Sequence, residues 1–268
     1  MNTTGIKFLY TFTGGDYDYT NPGANVLSVT STAAGDHDKL NLTTPALRET
    51  WRSTDVNDWQ EIVIATTDTT IDPDCFAILN HNLTSLVVVQ VQGSQTTDFT
   101  GAPTLVMQWT EKHMVLLADY GVAYRYWKFR ILDPTNACGF IEIGAIRIGK
   151  TLTFTDNEDI TDDITVQPSD KAFKTDTEGF FRQFAQRVIV NQLQVNFSKL
   201  KTVEGTSVNY PALADMFDTV GETFPFLTIT DPGDQSFYML WGCIDTLPSL
   251  TFGINRYADL QLTIQEQY

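Results

Sequence analysis

Cysteine is scarce in this chain. Cys75, Cys138 and Cys243 are the only three in 268 residues. They lie far apart, and an odd number leaves at least one unpaired. No CxxC or Cys/His spacing marks a zinc site, so a disulfide-built module is not expected. Histidine is equally scarce, at His37, His81 and His113. None stands in a GxSxG, HExxH or HxH pattern, so no nucleophile or metal-hydrolase signature is legible. The sequence assigns no catalytic residue and reads as a non-enzyme. Basic residues are few as well, 17 Lys and Arg against 33 Asp and Glu, for a formal net charge of −16. That balance excludes a nucleic-acid backbone as the expected partner and disfavours an anionic membrane surface. Long apolar runs are missing. The opening stretch MNTTGIKFLYTFTGG holds one lysine and a short apolar segment, and reads as neither a signal peptide nor a membrane span. A reducing cytoplasm is the expected place of synthesis.

What is present suits a folded β protein. Hydrophobic residues make up 42% and aromatics 12%, enough for a real core. Tyr126–Ile131 alternates large apolar and basic residues, and Phe140–Ile148 largely alternates too. Period-2 alternation turns one face to a core and the other to solvent or a partner. The turn Asp133-Pro134-Thr135-Asn136 has the residues turns need. Further short strands are expected at Ile6–Phe12, Asn25–Ser31, Trp59–Ile64, Cys75–Leu79, Leu86–Gln92, Thr104–Trp109 and Met114–Leu117. Such spacing indicates a sandwich or barrel.

The character changes after Gly149. Residues 156–163 (DNEDITDD) form an acidic patch, and a boundary is placed there, giving units 1–150 and 151–268. Arg187–Phe197 reads as a strand with a slip in alternation near Asn191, as a β-bulge would give. Tyr210–Val220 is the best helix, with Pro211 in its first turn, Gly221 just past its end, and Leu213, Met216, Phe217 and Val220 on one face. Phe224–Thr230, Phe237–Ile244 and Tyr257–Gln265 complete a second β-rich unit.

Three groups of side chains are candidates for chemistry. The acidic pairs Asp16/Asp18, Asp36/Asp38 and Asp72/Asp74, with the acidic patch, could hold calcium, although no D-x-D-x-D-G loop occurs. No cofactor is otherwise expected, and no metal ligand is assigned. Nothing fixes two carboxylates across a cleft as glycoside hydrolysis requires. Sugars are held by aromatic faces and planar hydrogen-bonding groups, so Trp51, Trp59, Trp109, Tyr124 and Tyr126 are weighed as contacts. Strand patterning assigns Trp59 and Trp127 to the core. Tyr17, Tyr19 and Trp51 lie in or beside loops and are the glycan- or partner-contact candidates. Arg187–Phe197 and Ala258–Gln265 would serve assembly if exposed at an edge, and would be ordinary sheet if internal.

Two sets of residues carry a family resemblance. LRETWRSTD, WQEIVI, LNHNL, VQVQGS and the pair at 126–149 resemble the galactose-binding-like, or discoidin-like, jelly roll across about residues 25–149. ILNHNLTS and YWKFRILDPTN…GFIEIGAIRIG further resemble minor tail and baseplate proteins of tailed bacteriophages. YPALADMFDTVGETFPFLTITDP and FYMLWGCIDTLPSLTFGINRYADLQLTIQEQ are similar to the tube-derived β-barrel of tail-tip proteins, including distal tail proteins. There the barrel comes first, whereas here the order is reversed. The resemblance implies a mainly β chain: an N-terminal jelly-roll sandwich and a C-terminal tail-tube-like barrel with one short helix. It implies a structural virion protein, made in the host cytoplasm and located in the tail. Its partners would be itself, as a ring oligomer, and other tail proteins (tube, tip or fibre), with host surface glycan as a further partner. The alternative is a carbohydrate-binding module without catalysis.

Overall fold

The structure is a computed structural model, and it describes residues 6–10, 26–66, 70–153, 165–170, 174–176, 182–184, 189–201, 210–230, 239–248, 251–252 and 257–267. Two compact units divide it, one built mainly on residues 6–152 and the other mainly on 153–228 with 240–267. The described residues are mainly β, with one α-helix. None of their helices is long and apolar enough to cross a membrane.

The first unit contains β1 (Lys7–Leu9), β2 (Val26–Val29), a 3-10 helix (Lys39–Thr43), β3 (Trp51–Arg52), β4 (Gln60–Ala65), β5 (Cys75–His81), β6 (Val88–Ser94), β7 (Thr104–Met107), β8 (His113–Leu117), β9 (Tyr126–Leu132), β10 (Glu142–Gly149) and the start of β11 (Leu152–Thr153). Two antiparallel sheets form its sandwich. One has the order β2-β4-β9-β6-β7, the other β3-β10-β5-β8. Alternation in β4, β6 and β9 puts Ile62, Ile64, Val89, Val91, Trp127, Phe129 and Ile131 into one core with Phe76, Ile78, Met114 and Ile148 of the facing sheet. At 25 cal/mol per Å², each such side chain contributes about 1.5–3 kcal/mol on burial. This arrangement is consistent with a galactose-binding-like jelly roll.

β10 does not turn its second face to solvent, the first of the two alternatives its alternation left open. Seven of its eight residues are buried, Arg147 among them. The Arg147 guanidinium donates through Nη1 to the carbonyls of Leu42 (3.0 Å) and Ile146 (2.9 Å), and through Nη2 to those of Thr43 (3.3 Å) and Thr44 (2.6 Å). The carbonyls of residues 42–44 at the end of the 3-10 helix lack helical partners, and a cation suits that negative end. Arg147 thereby holds residues 39–44 over the outer face of β10.

One end of the sandwich is closed by polar pairing. Asn80 takes a left-handed φ of 53°, which Asn tolerates better than most residues. Its amide donates to Leu47 O at 2.7 Å, and its backbone N–H donates to His113 Nδ1 at 3.1 Å. Asn82 bridges Phe140 O (3.0 Å) and Glu142 N (2.8 Å). The ILNHNLTS and DPTN stretches thus meet as the lock of one fold corner.

In the second unit are β12 (Thr165–Asp170), β13 (Lys174–Asp176), β14 (Arg182–Phe184), β15 (Ile189–Lys201), α1 (Tyr210–Val220), β16 (Phe226–Ile229), β17 (Met239–Ile244), β18 (Thr251–Phe252) and β19 (Tyr257–Glu266). Its strands run β16-β17-β19-β15-β12, with β18 also on β19. Among the described residues this sheet is open, and the expected tail-tube-like barrel is not shown. β15 lies between β12 and β19, and β19 between β15 and the pair β17 and β18, so of the two alternatives for these segments, edge or internal sheet, the structure shows internal sheet. The register shift of β15 falls between Phe197 and Leu200, not at Asn191. Asn191 instead holds register by donating its backbone N–H and its amide to Glu266 Oε2, at 3.0 and 2.6 Å. The helix matches the sequence reading: Leu213, Met216 and Val220 are buried, and Gly221 ends it with φ of 53°.

Candidate functional site

The contact candidates from sequence fare unequally. Tyr17 and Tyr19 lie outside the described residues, as do Asp16, Asp18 and residues 156–163. Trp51 is not a free loop residue. It sits in β3 with 0% exposure, and its indole N–H donates to Ser31 O at 3.2 Å. Trp51 and Arg52 pair with Ile143 and Glu142 of β10, which carries Trp51 into the core. Trp59 corrects the other way. It is half-buried rather than in the core, because Gln60, Ile62 and Ile64 take the inward positions and leave the odd positions facing out.

Trp59 belongs to the outward face of the five-stranded sheet, where strand register builds two rows. Glu61 of β4 stands opposite Arg130 of β9, which stands opposite Gln90 of β6, which faces Val106 of β7. The next row runs Val63, Lys128, Gln92, Thr104. Each is the neighbour of an inward core residue, so the same alternation that makes the core assembles this surface.

Its side chains are held by one another. Arg130 Nε donates to Glu61 Oε1 at 2.8 Å and Nη1 to Gln90 Oε1 at 3.3 Å, while the guanidinium carbon lies 4.4 Å from the centre of the Trp59 ring. Lys128 Nζ is 3.6 Å from the same Glu61 oxygen and 4.6 Å over the Phe99 ring. Gln92 Nε2 donates to Thr104 Oγ1 at 3.0 Å, leaving Gln92 Oε1 buried without a donor among the described residues. Asp98 lies nearby on its exposed loop. Hydrogen bonds from the Thr100 hydroxyl and backbone hold its carboxyl below the usual range, with a further contribution from Lys128. A planar guanidinium stacked on an aromatic and fixed by a carboxylate and an amide is pre-organised for hydroxyl or carboxylate ligands. The sequence showed β9 as a strand but not this row, since register across three strands comes from pairing. Parity in β4 was the one available signal for Trp59.

The remaining candidates are structural in this geometry. His37 Nδ1 lies 3.2 Å from Thr50 O. His113 is buried and accepts from Asn80 N through Nδ1. His81 accepts the Leu83 N–H on Nδ1 at 3.2 Å, while its Nε2 is buried with no partner at good hydrogen-bond geometry among the described residues. Burial lowers its pKa to about 4, against the raising effects of the Thr110 backbone and Asp133. Asp38 caps the 3-10 helix by accepting from Leu40 N, and Asp74 accepts from Thr151 N at 2.7 Å. Among the described residues no group of three or more His, Cys, Asp or Glu is placed to hold a metal ion. Trp109 is partly exposed and donates to Leu83 O. Tyr124 packs edge-on against Tyr120 and Trp127 at 5.5 and 5.6 Å. Tyr126 lies under Arg125 at 5.6 Å. All three cysteines are free, and burial raises the thiol pKa of Cys75 and Cys243.

No family model matches the chain, and no curated protein matches it. Solved structures similar to it include chitosan-binding module 1 of a Paenibacillus sp. IK-5 chitosanase/glucanase, at TM-score 0.39 and 12% identity over 48% of this chain and 97% of that one. Another is CBM32-3 from a family 31 glycoside hydrolase of Clostridium perfringens, at TM-score 0.37 and 16% identity over 47% and 89%. A third is reduced XRCC1 bound to the DNA polymerase β catalytic domain, at 0.38 and 14% over 47% and 95%. Likeness at this level says nothing about a ligand.

Proposed function

We propose that the chain is a non-catalytic glycan-binding protein, and that the outward face of its five-stranded sheet is the contact surface. One observation carries this reading: the Arg130 guanidinium, stacked on Trp59 and fixed by Glu61 and Gln90 in a single row. Sugars offer C–H faces to aromatic rings and hydroxyls to planar donors and acceptors. Side chains already held in place lose little freedom on binding. The test is a glycan array probed with the whole chain, followed by titration of any retained sugar against Trp59→Ala. The reading expects a loss of at least ~10-fold in affinity, the scale of one well-placed aromatic contact, with stability lowered by at most about 1 kcal/mol. An array that retains nothing would overturn it.

A second reading is a structural component of a tailed-phage tail, in the tip or baseplate, forming a ring and attaching tube, tip or fibre proteins. The sequence resemblance in both halves supports it. Light scattering on a size-exclusion peak, with electron micrographs of it, separates the readings. A closed ring favours the tail component. A monomer at 30.1 kDa that binds glycan favours the first.

A further inference from the structure

Hydrogen-bond capacity on the Trp59 face is lopsided, and the imbalance specifies the ligand. A guanidinium carries five N–H donors, of which Glu61 and Gln90 take one each, so among the described residues three of Arg130 remain. The Lys128 ammonium lies near Glu61 at 3.6 Å, beyond hydrogen-bond reach. Glu61 is the one carboxylate within 4.0 Å of either cation among the described residues. Asp98, the other acid nearby, spends one oxygen on Thr100 N and Oγ1, at 2.9 and 2.7 Å. The fork thus keeps unspent donors, and two cations share one carboxylate within 4.0 Å, with the anionic Asp98 acting on Lys128, on a chain whose formal net charge is −16. Such a face complements an acceptor-rich anionic group.

We propose that the free edge of the Arg130 fork takes the carboxylate of an acidic sugar, a uronic-acid residue of a polysaccharide. This deepens the glycan reading and rests on it. The guanidinium meets a planar carboxylate through two parallel N–H···O bonds, which a lysine ammonium cannot reproduce. Lys128 adds charge from the next row. The buried Gln92 Oε1 lacks a donor among the described residues, and a sugar hydroxyl would supply one after a small shift of the amide.

The test titrates the full chain with trigalacturonate, its methyl ester and a sulfated neutral trisaccharide, by calorimetry. The proposal expects the acid to bind at least ~10-fold more tightly than the ester, with affinity falling as salt rises. Arg130→Gln loses ~10-fold or more, and Arg130→Lys does not restore it. The Arg130 Nε–H resonance shifts on adding the acid, a readout independent of any variant's folding. Equal binding of acid and ester, or full activity in Arg130→Lys, overturns the carboxylate fork and leaves the glycan reading standing. Preference for the sulfated sugar also overturns it, in favour of a tetrahedral anion. Retention of no glycan overturns both. Self-association that Arg130→Gln abolishes would show instead that the fork receives a carboxylate of a second acidic copy.

Discussion

Asp133 accepts two hydrogen bonds from Thr84, at 2.8 Å from the backbone N–H and 2.5 Å from the hydroxyl, and the carboxylate is fully buried. The Thr135 hydroxyl and the Asn136 amide also donate to it, each at 3.3 Å. A buried carboxylate persists only when its oxygens are satisfied, and here neutral donors do that work. Asp133→Ala leaves these donors without an acceptor. The expected loss is about 3 kcal/mol, and Asp133→Asn should lose less because one acceptor survives. Urea unfolding of the three proteins checks the order; equal stability of wild type and Asp133→Ala would contradict it.

Arg147 is expected to matter through the segment it holds. Arg147→Met keeps the stem but strands three carbonyls of residues 42–44. A destabilisation of about 2–4 kcal/mol should follow, with faster amide exchange concentrated in residues 39–47. Uniformly faster exchange across the unit would show that Arg147 supports the whole sandwich rather than this flap.

Trp51 and Trp59 should separate stability from binding. Trp51 is fully buried, so Trp51→Ala leaves a cavity and costs about 3–5 kcal/mol. Trp59→Ala removes a half-buried ring that covers an arginine, and should cost at most about 1 kcal/mol. Thermal melting of both variants decides this, and a larger loss in Trp59→Ala would reverse the placement of the two rings.

Acid should weaken the fold through His81. Its imidazole takes up a proton near pH 6.5 when unfolded, but only near pH 4 when folded. Between those values the unfolded chain binds more protons, so stability falls as pH falls from 6.5 to 4 and owes nothing to His81 above that window. The contribution is on the order of 3 kcal/mol. His81→Asn keeps an acceptor for the Leu83 N–H and removes the titration. Its unfolding free energy should lose less over this window than wild type, and identical slopes would contradict the assignment.

Local patterns in the sequence foretold local structure. The alternation of residues 126–131 became β9, and Pro211 with Gly221 bracketed α1, because these depend on neighbours along the chain. Arg147 could not be read that way. Its alternating position implied solvent or an unnamed partner, and the segment that covers it lies about a hundred residues earlier. The Glu61–Arg130–Gln90 row was likewise invisible, since three strands far apart in sequence must first pair in one register. Trp51 was misplaced because its strand is two residues long, too short to show a period.

The most direct test of the glycan reading is the affinity of the whole chain for a sugar selected on the array, measured beside Trp59→Ala with both proteins folded. The reading predicts measurable binding to wild type and a loss of at least ~10-fold in the variant. Unchanged affinity in Trp59→Ala would remove this face from the site, and no binding by either protein would contradict the function itself.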